Sequence, residues 1–271
     1  MRISTLIGVI LGFVAILGAF YLERGDFTRL VTVSSLLIVV GGTLMAGLAS
    51  TSWKIFSKMF KLIGISFFPP HYDKRKITFQ IIEYSLIARK HGMLALENKL
   101  NSAVHPYIRK IFQSGIDGAD AETLEEVFAV EVEGMTFRHS ENIALFQKLG
   151  ALSPTMGITG AVIGLIITMG EAGADGGDAN TLIQSIGVAF LATLWGIMLA
   201  NVFWIPIGDK LQLIHNEEVQ LLELIFDGAK CVLNGETPLL IISKLESTFP
   251  LSEQQQFHRD AKKFIENNKS I

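Results

Sequence analysis

The sequence predicts an all-α integral membrane protein: four transmembrane helices plus a helical cytoplasmic domain formed by the insert between the second and third helices and by the C-terminal tail. Three observations carry this. Of 271 residues 49% are hydrophobic, and mean hydropathy is +0.42, yet the chain holds 23 Lys and Arg and 26 Asp and Glu. Those charges leave four windows with no Asp, Glu, Lys, Arg or His: Ile3–Leu22, Leu30–Trp53, Leu149–Gly170 and Ala179–Gly208. A helix rising ~1.5 Å per residue needs about 20 residues to cross ~30 Å of hydrocarbon, and every window is long enough. Between the windows, apolar residues recur at helical spacing, and no segment alternates as a strand would.

The first window follows Arg2 and resembles a secretory signal, but its apolar run exceeds the usual roughly 7–15 residues and no small-x-small cleavage site precedes Glu23. It is expected to stay as a helix, paired with the second window as a peripheral, lipid-facing unit over residues 1–53. Residues 54–148 follow, with thirteen Lys and Arg, six of them within Lys54–Lys76. The Glu171–Asp178 connection has none. By the positive-inside rule the long insert faces the cytoplasm, and four crossings put both termini there too.

Within the insert, Lys76–Leu100 places Ile77, Ile81, Ile82, Leu86 and Ile87 on one helical face, cut off from the membrane by Pro69-Pro70. If that helix runs through Gly92, Arg89 and Glu97 lie about 80° apart on it. With Lys90 they form either a solvated face or a surface for a charged partner. A second run, Asp120–Leu149, has an acidic start suited to a helix N-terminus and continues through Val127, Val130, Met135 and Phe137. In the tail, residues 209–271, Leu211, Ile214, Leu221, Leu222, Leu224, Ile225 and Phe226 extend the fourth helix.

The third and fourth windows, residues 149–208, differ from the first pair in carrying hydroxyls, glycines and prolines. Gly157, Gly160 and Gly164 let a neighbouring helix approach, which in lipid means van der Waals packing; the neighbour expected is a partner helix, with simple helix packing as the plainer alternative. Pro154 and Pro206 each remove a backbone donor near the inner ends of their spans, as helix-end markers or as a hinge. A proton path through a membrane normally uses a carboxylate or histidine, and no window holds one, so a proton-conducting role requires an acid from another chain. Thr193 can line such a path but cannot carry its proton.

Several classes are set aside. A net charge of −3 gives no case for nucleic-acid binding. His71, His91, His105, His139, His215 and His258 are scattered, without the ligand spacing of a metal site, and no nucleophile or nucleotide loop stands out, so neither an enzyme nor a resident cofactor is expected. Cys231, the single cysteine, forms no internal disulfide.

Three stretches carry a family resemblance: ARKHGMLALE (Ala88–Glu97), SPTMGITGAVIGLI (Ser153–Ile166) and VAFLATLWGIMLANVFWIPIGDKL (Val188–Leu211). They resemble the MotA family of flagellar stator subunits, including its sodium-type PomA branch, from the first helix to about residue 245. The related ExbB and TolQ proteins have three membrane helices. The resemblance implies a homopentamer in the bacterial inner membrane around a pair of MotB-type subunits. Each partner has one membrane helix bearing the proton-binding aspartate and a peptidoglycan anchor. It also implies that Arg89 and Glu97, with Lys90, face the rotor switch protein FliG, and that Pro154 and Pro206 serve ion flow and conformational coupling.

Sodium-type members have threonine where Ala161 stands, beside the threonine matched by Thr193. Ala161 lies 12 residues and Thr193 15 residues from the inner window ends, about 18 and 22 Å deep. Sodium needs oxygen ligands and an alanine methyl supplies none, so protons are the expected ion, with a sodium-coupled stator as the alternative. Ser153 and Thr155 depart from the alanines usual beside the proline; their hydroxyls are expected to bond carbonyls one turn back or to hydrate the inner mouth. Two other readings are a MotA-like ring powering a non-flagellar envelope or defence complex, and a structural four-helix membrane protein without ion flux.

Overall fold

A computed structural model describes residues 4–25, 27–175 and 179–268. In chain order the helices of eight or more residues are α1 (Ser4–Leu22), α2 (Val33–Ala49), α3 (Met59–Phe67), α4 (Lys74–His91), α5 (Pro106–Ile116), α6 (Ala121–Asp175), α7 (Ala179–Leu199), α8 (Ile205–Leu233), α9 (Pro238–Leu245) and α10 (Leu251–Asn267). A 3₁₀ segment, Met93–Ser102, joins α4 to α5, and π turns interrupt α2 at Leu37–Gly41 and separate α7 from α8 at Ala200–Trp204. No strand occurs among the described residues. Among the described residues three stretches are long and apolar enough to cross a membrane, Ser4–Leu22, Ala121–Gly170 and Ile186–Leu233, and Val33–Ala49 is a shorter apolar helix. The acidic connection expected at Glu171–Asp178 lies partly outside the described residues.

The chain divides into two compact units, Met1–Pro70 with Arg138–Ile214, and His71–Phe137 with His215–Ile271. The first unit takes in α3, so its boundary falls at Pro70 instead of at Lys54. The reason is burial: Met59 and Leu62 of α3 join a core with Phe146, Leu149, Trp204, Ile207 and Leu211. Trp204 meets the Phe203 ring edge-on at 4.9 Å, a favoured aromatic geometry. The indole N–H of Trp195 donates to the Leu30 carbonyl at 2.8 Å, pinning the chain just before α2. α1 is the least packed, with Val9 its one buried residue among those described and Leu11 and Val14 exposed.

The second unit is built like a water-soluble bundle. Asp73 caps α4 by accepting from the N–H groups of Arg75 and Lys76 at 3.0 and 3.2 Å. The apolar face then buries Ile77, Ile81, Ile82 and Ile87, as their spacing predicts. Ile77, Ile81 and Ile87 meet Tyr84, Phe112, Leu124, Leu221 and Ile225 in one core, and Phe128 stacks on Phe226 at 4.4 Å. A smaller cluster of Ile82, Ile242, Phe249, Phe257 and Ala261 fixes α10.

Three expectations need correction here. The helix from Lys76 does not reach Leu100: Gly92 adopts φ 84°, and the chain continues as 3₁₀ helix. A left-handed residue ends an α-helix, and glycine takes that conformation without a Cβ penalty. In α6, Val130 and Phe137 are 70% and 65% exposed, because Leu124, Phe128, Val132 and Met135 occupy the core-facing stripe. The runs expected separately before and after Leu149 are one helix of 55 residues. Its acidic start is as expected. The Asp120 carboxylate accepts from the Thr123 N–H at 2.9 Å, a bond that holds the Asp120 pKa below the ordinary carboxylate range.

Candidate functional site

In the membrane unit, α6 and α7 meet through backbone. A Cβ placed on Gly157 would lie 2.8 Å from the Ala192 carbonyl oxygen and 3.1 Å from the Thr193 Cα. One placed on Gly160 would sit 2.8 Å from the Ala192 Cβ, and one on Gly164 3.0 Å from the Ala189 Cβ. These three glycines were expected to receive a partner helix. The structure instead fills their face with the chain's own α7, whose Ala189, Ala192 and Gly196 form a matching stripe of small residues. The stripe's signal in the sequence is small residues three and four apart.

The register of this contact sets the depth of the ion-pathway candidates. Gly160 opposite Ala192 and Gly164 opposite Ala189 put Ala161 within a residue or two of the level of Thr193, about 2–3 Å along the axis at helical rise. Ala161 and Thr193 are both partly buried. The hydroxyls of Thr155 and Thr159 are exposed and donate to the carbonyls of Leu152 and Thr155 at 2.7 and 2.9 Å, so their lone pairs stay available. Ser153 behaves otherwise than expected: fully buried, it donates across the contact to the Gly196 carbonyl at 2.9 Å. Together, Ser153 and Gly196 fix the closest point of the pair.

Pro154 and Pro206 occupy different backbone settings. α6 runs through Pro154 as α-helix. Pro206 follows the π turn Ala200–Trp204 after one residue, Ile205. Proline clashes with the carbonyl four residues back and offers it no donor, and a wider turn relieves both problems. The Asn201 amide meanwhile donates to the Ile197 carbonyl at 2.9 Å, satisfying an acceptor at the widened turn. Gly150, four residues before Pro154, faces Ile205, next to Pro206: a Cβ placed on Gly150 would lie 2.6 Å from the Ile205 Cγ1. The prolines are therefore about one turn apart in depth.

In the second unit, Arg89 and Lys90 end α4, and Glu97 sits on the 3₁₀ segment, all three exposed. The break at Gly92 dissolves the single-helix geometry, and a clamp replaces it. The Tyr84 hydroxyl donates to the Lys99 carbonyl at 3.1 Å, and the Gln80 side chain bonds Ser102 O at 3.2 Å and Val104 N at 2.9 Å. Burial, with the adjacent Glu83 carboxylate adding to it, pushes the Tyr84 phenol up to about 12, so it remains a donor at neutral pH. Leu96 and Leu100 anchor the segment in the core. Arg89 and Lys90 also line a shallow groove of about 340 Å³ with Pro238, Leu239 and Ile265.

Membrane-length helices and a backbone-close pair carrying hydroxyls define the class of multi-pass membrane proteins. Comparison with known proteins agrees. Residues 99–224 match the MotA/TolQ/ExbB proton channel family and residues 6–90 match the motility protein A N-terminal family. Motility protein A of Bacillus subtilis is 31% identical over 259 residues, 94% of this chain and 93% of that one. Chemotaxis protein PomA of Vibrio alginolyticus is 30% identical, over 91% and 95% of the two chains. The flagellar MotAB stator complex from Bacillus subtilis superposes with a TM-score of 0.86 at 31% identity, covering 94% of this chain and 99% of that one. The MotAB structure from C. jejuni gives 0.86 at 27% identity, with 93% and 97% covered. The chain belongs to the motility protein A branch of the MotA/TolQ/ExbB proton channel family, and its role is that of a flagellar motor stator subunit.

Proposed function

We propose that this subunit couples proton influx to torque as part of a pentameric ring around a MotB-type partner, and that the partner supplies the titrating carboxylate. The observation that carries the reading is the α6–α7 pair: its contact is made of glycine, alanine and hydroxyl groups, and nothing in its apolar stretch can bind and release a proton. The exposed Thr155 and Thr159 leave a polar stripe on the outward face of α6, suited to water beside a partner's acid. Relatives solved as MotAB complexes support a partner of this kind.

In this reading both termini and the second unit are cytoplasmic, in keeping with the lysines and arginines between residues 54 and 148. Arg89, Lys90 and Glu97 face the rotor protein FliG. Pro154 and Pro206 act in coupling, and Thr193 lines the path beside Ala161.

The direct test is complementation in a motile host lacking its own stator, with this chain and its partner expressed together. Swimming should follow the proton gradient and ignore sodium. Ala161→Thr, which adds an oxygen at the level of Thr193, should move the preference toward sodium. Sodium-dependent swimming by the unaltered pair, or no change in ion dependence with Ala161→Thr, sinks the proton assignment.

A further inference from the structure

We propose that a groove between α1 and the start of α8 binds one aminophospholipid of the phosphatidylethanolamine class, with its ammonium at Asp209, its phosphate at Lys210 and an acyl chain along the glycines of α1. The proposal rests only on the first unit crossing a membrane and is independent of ion choice and ring size.

The groove measures about 590 Å³ and changes character along its length. Its mouth is lined by Thr5, Asp209 and Lys210. Asp209 and Lys210 are the first charges after the uncharged run that begins at Ala179, so they mark where the chain leaves hydrocarbon. Further in, the wall is Gly8, Gly12 and Val202. A Cβ on Gly8 would meet nothing within 4 Å, whereas one on Gly12 would sit 2.9 Å from Val202, so the slot is open at Gly8 and closes at Gly12. From Ser4 to Gly12 it runs about 12 Å, most of one leaflet's ~15 Å of hydrocarbon.

Energetics then select the lipid. An acyl chain moving from bulk lipid into the slot gains little, since both surroundings are apolar. Discrimination therefore falls to the headgroup. Lys210 offers an ammonium to phosphate, and Asp209 accepts N–H from a primary ammonium. A glycerol headgroup leaves Asp209 facing net negative charge. A choline headgroup has no N–H to donate.

The test uses the full chain extracted from membranes in mild detergent with whatever subunits accompany it. After exchange into micelles holding equal phosphatidylethanolamine, phosphatidylglycerol and phosphatidylcholine, retained lipid is counted by native mass spectrometry. Phosphatidylethanolamine should be retained about tenfold over either competitor, the scale of one charge-assisted hydrogen bond. Asp209→Asn should level the three lipids, Lys210→Gln should lower all of them, and Gly8→Leu should empty the slot. Equal retention of the three by the unaltered protein, or an unchanged preference in Asp209→Asn at full helix content, overturns the proposal. So does a disulfide between two copies carrying Gly8→Cys, which would give the slot to a second chain. If Gly8→Leu does not fold, the Asp209→Asn comparison decides alone.

Discussion

The α6–α7 contact inside the membrane unit and the helix contacts inside the second unit are of opposite kinds. In the membrane unit α6 and α7 touch where side chains are missing, with a Cβ on Gly196 falling 2.6 Å from the Ser153 carbonyl oxygen and 3.0 Å from the Gly157 Cα. In the second unit contact is made by the largest side chains available, Tyr84, Phe112 and Phe257 among them, fully buried. Solvent explains the contrast. Water rewards burial of apolar area, so a soluble bundle fills its centre with rings. Lipid is already apolar, so helices in it gain from close approach and from hydrogen bonds such as Ser153 to Gly196. One chain applies both rules, and α6 passes from one regime to the other within a single helix.

Removing a ring should have the largest effect. Phe112 is fully buried with its ring 5.1 Å from that of Tyr84, so Phe112→Ala should cost about 3–5 kcal/mol. Thermal unfolding of the solubilised protein, read by far-ultraviolet circular dichroism, checks this. A sharper comparison makes one substitution in both units. Gly196→Ala drives a methyl into backbone, which cannot retreat, and should cost about 1–3 kcal/mol together with swimming. Gly228→Ala in the second unit meets side chains instead of backbone: the Ile81 Cγ2 and Cδ1 at 2.8 and 2.9 Å and the Leu245 Cδ1 at 3.4 Å. Side chains give way by a few tenths of an ångström more readily than backbone, and alanine's helix preference of about 1 kcal/mol offsets part of the crowding, so the loss should be the smaller of the two. Equal losses at the two glycines would mean that the units do not differ in the way described.

What was legible in the sequence follows the same division. The uncharged windows and the buried face of α4 were readable because both are periodic one-dimensional signals. The tail's extension of the fourth span was readable for the same reason: Leu221, Leu222, Leu224, Ile225 and Phe226 are all buried. The destination of the glycines was not, since a small residue states that something comes close without stating what. Ser153 was misread for a related reason. A hydroxyl in a helix has its own carbonyls within reach, and only the approach of Gly196 makes the cross-helix bond the better one. The π turn before Pro206 depends on how a proline's clash is relieved, which a linear pattern does not encode.

The contrast extends to pH, because the α6–α7 contact contains no titratable group while the second unit buries several, His105 among them. His105 caps α5, its ring Nδ1 accepting from the Tyr107 N–H at 3.2 Å, and Tyr72 meets it edge-on at 4.6 Å. Burial lowers its pKa below the ordinary 6.5. The folded state thus prefers the neutral ring, whose Nδ1 lone pair the cap uses. The sign follows: this contribution to stability is complete above 6.5 and is lost as pH falls through that value toward the folded one, because the unfolded chain binds the proton first. One group can change stability by no more than about 1.4 kcal/mol per pH unit, making this the smallest of the expected effects near neutrality. His105→Asn keeps a capping acceptor without the titration. Its melting temperature should therefore fall less than that of the unaltered protein between pH 7.5 and pH 5.5, while Gly196→Ala should leave the pH dependence as it was. Parallel melting curves for His105→Asn and the unaltered protein across that range would show that the acid sensitivity resides elsewhere.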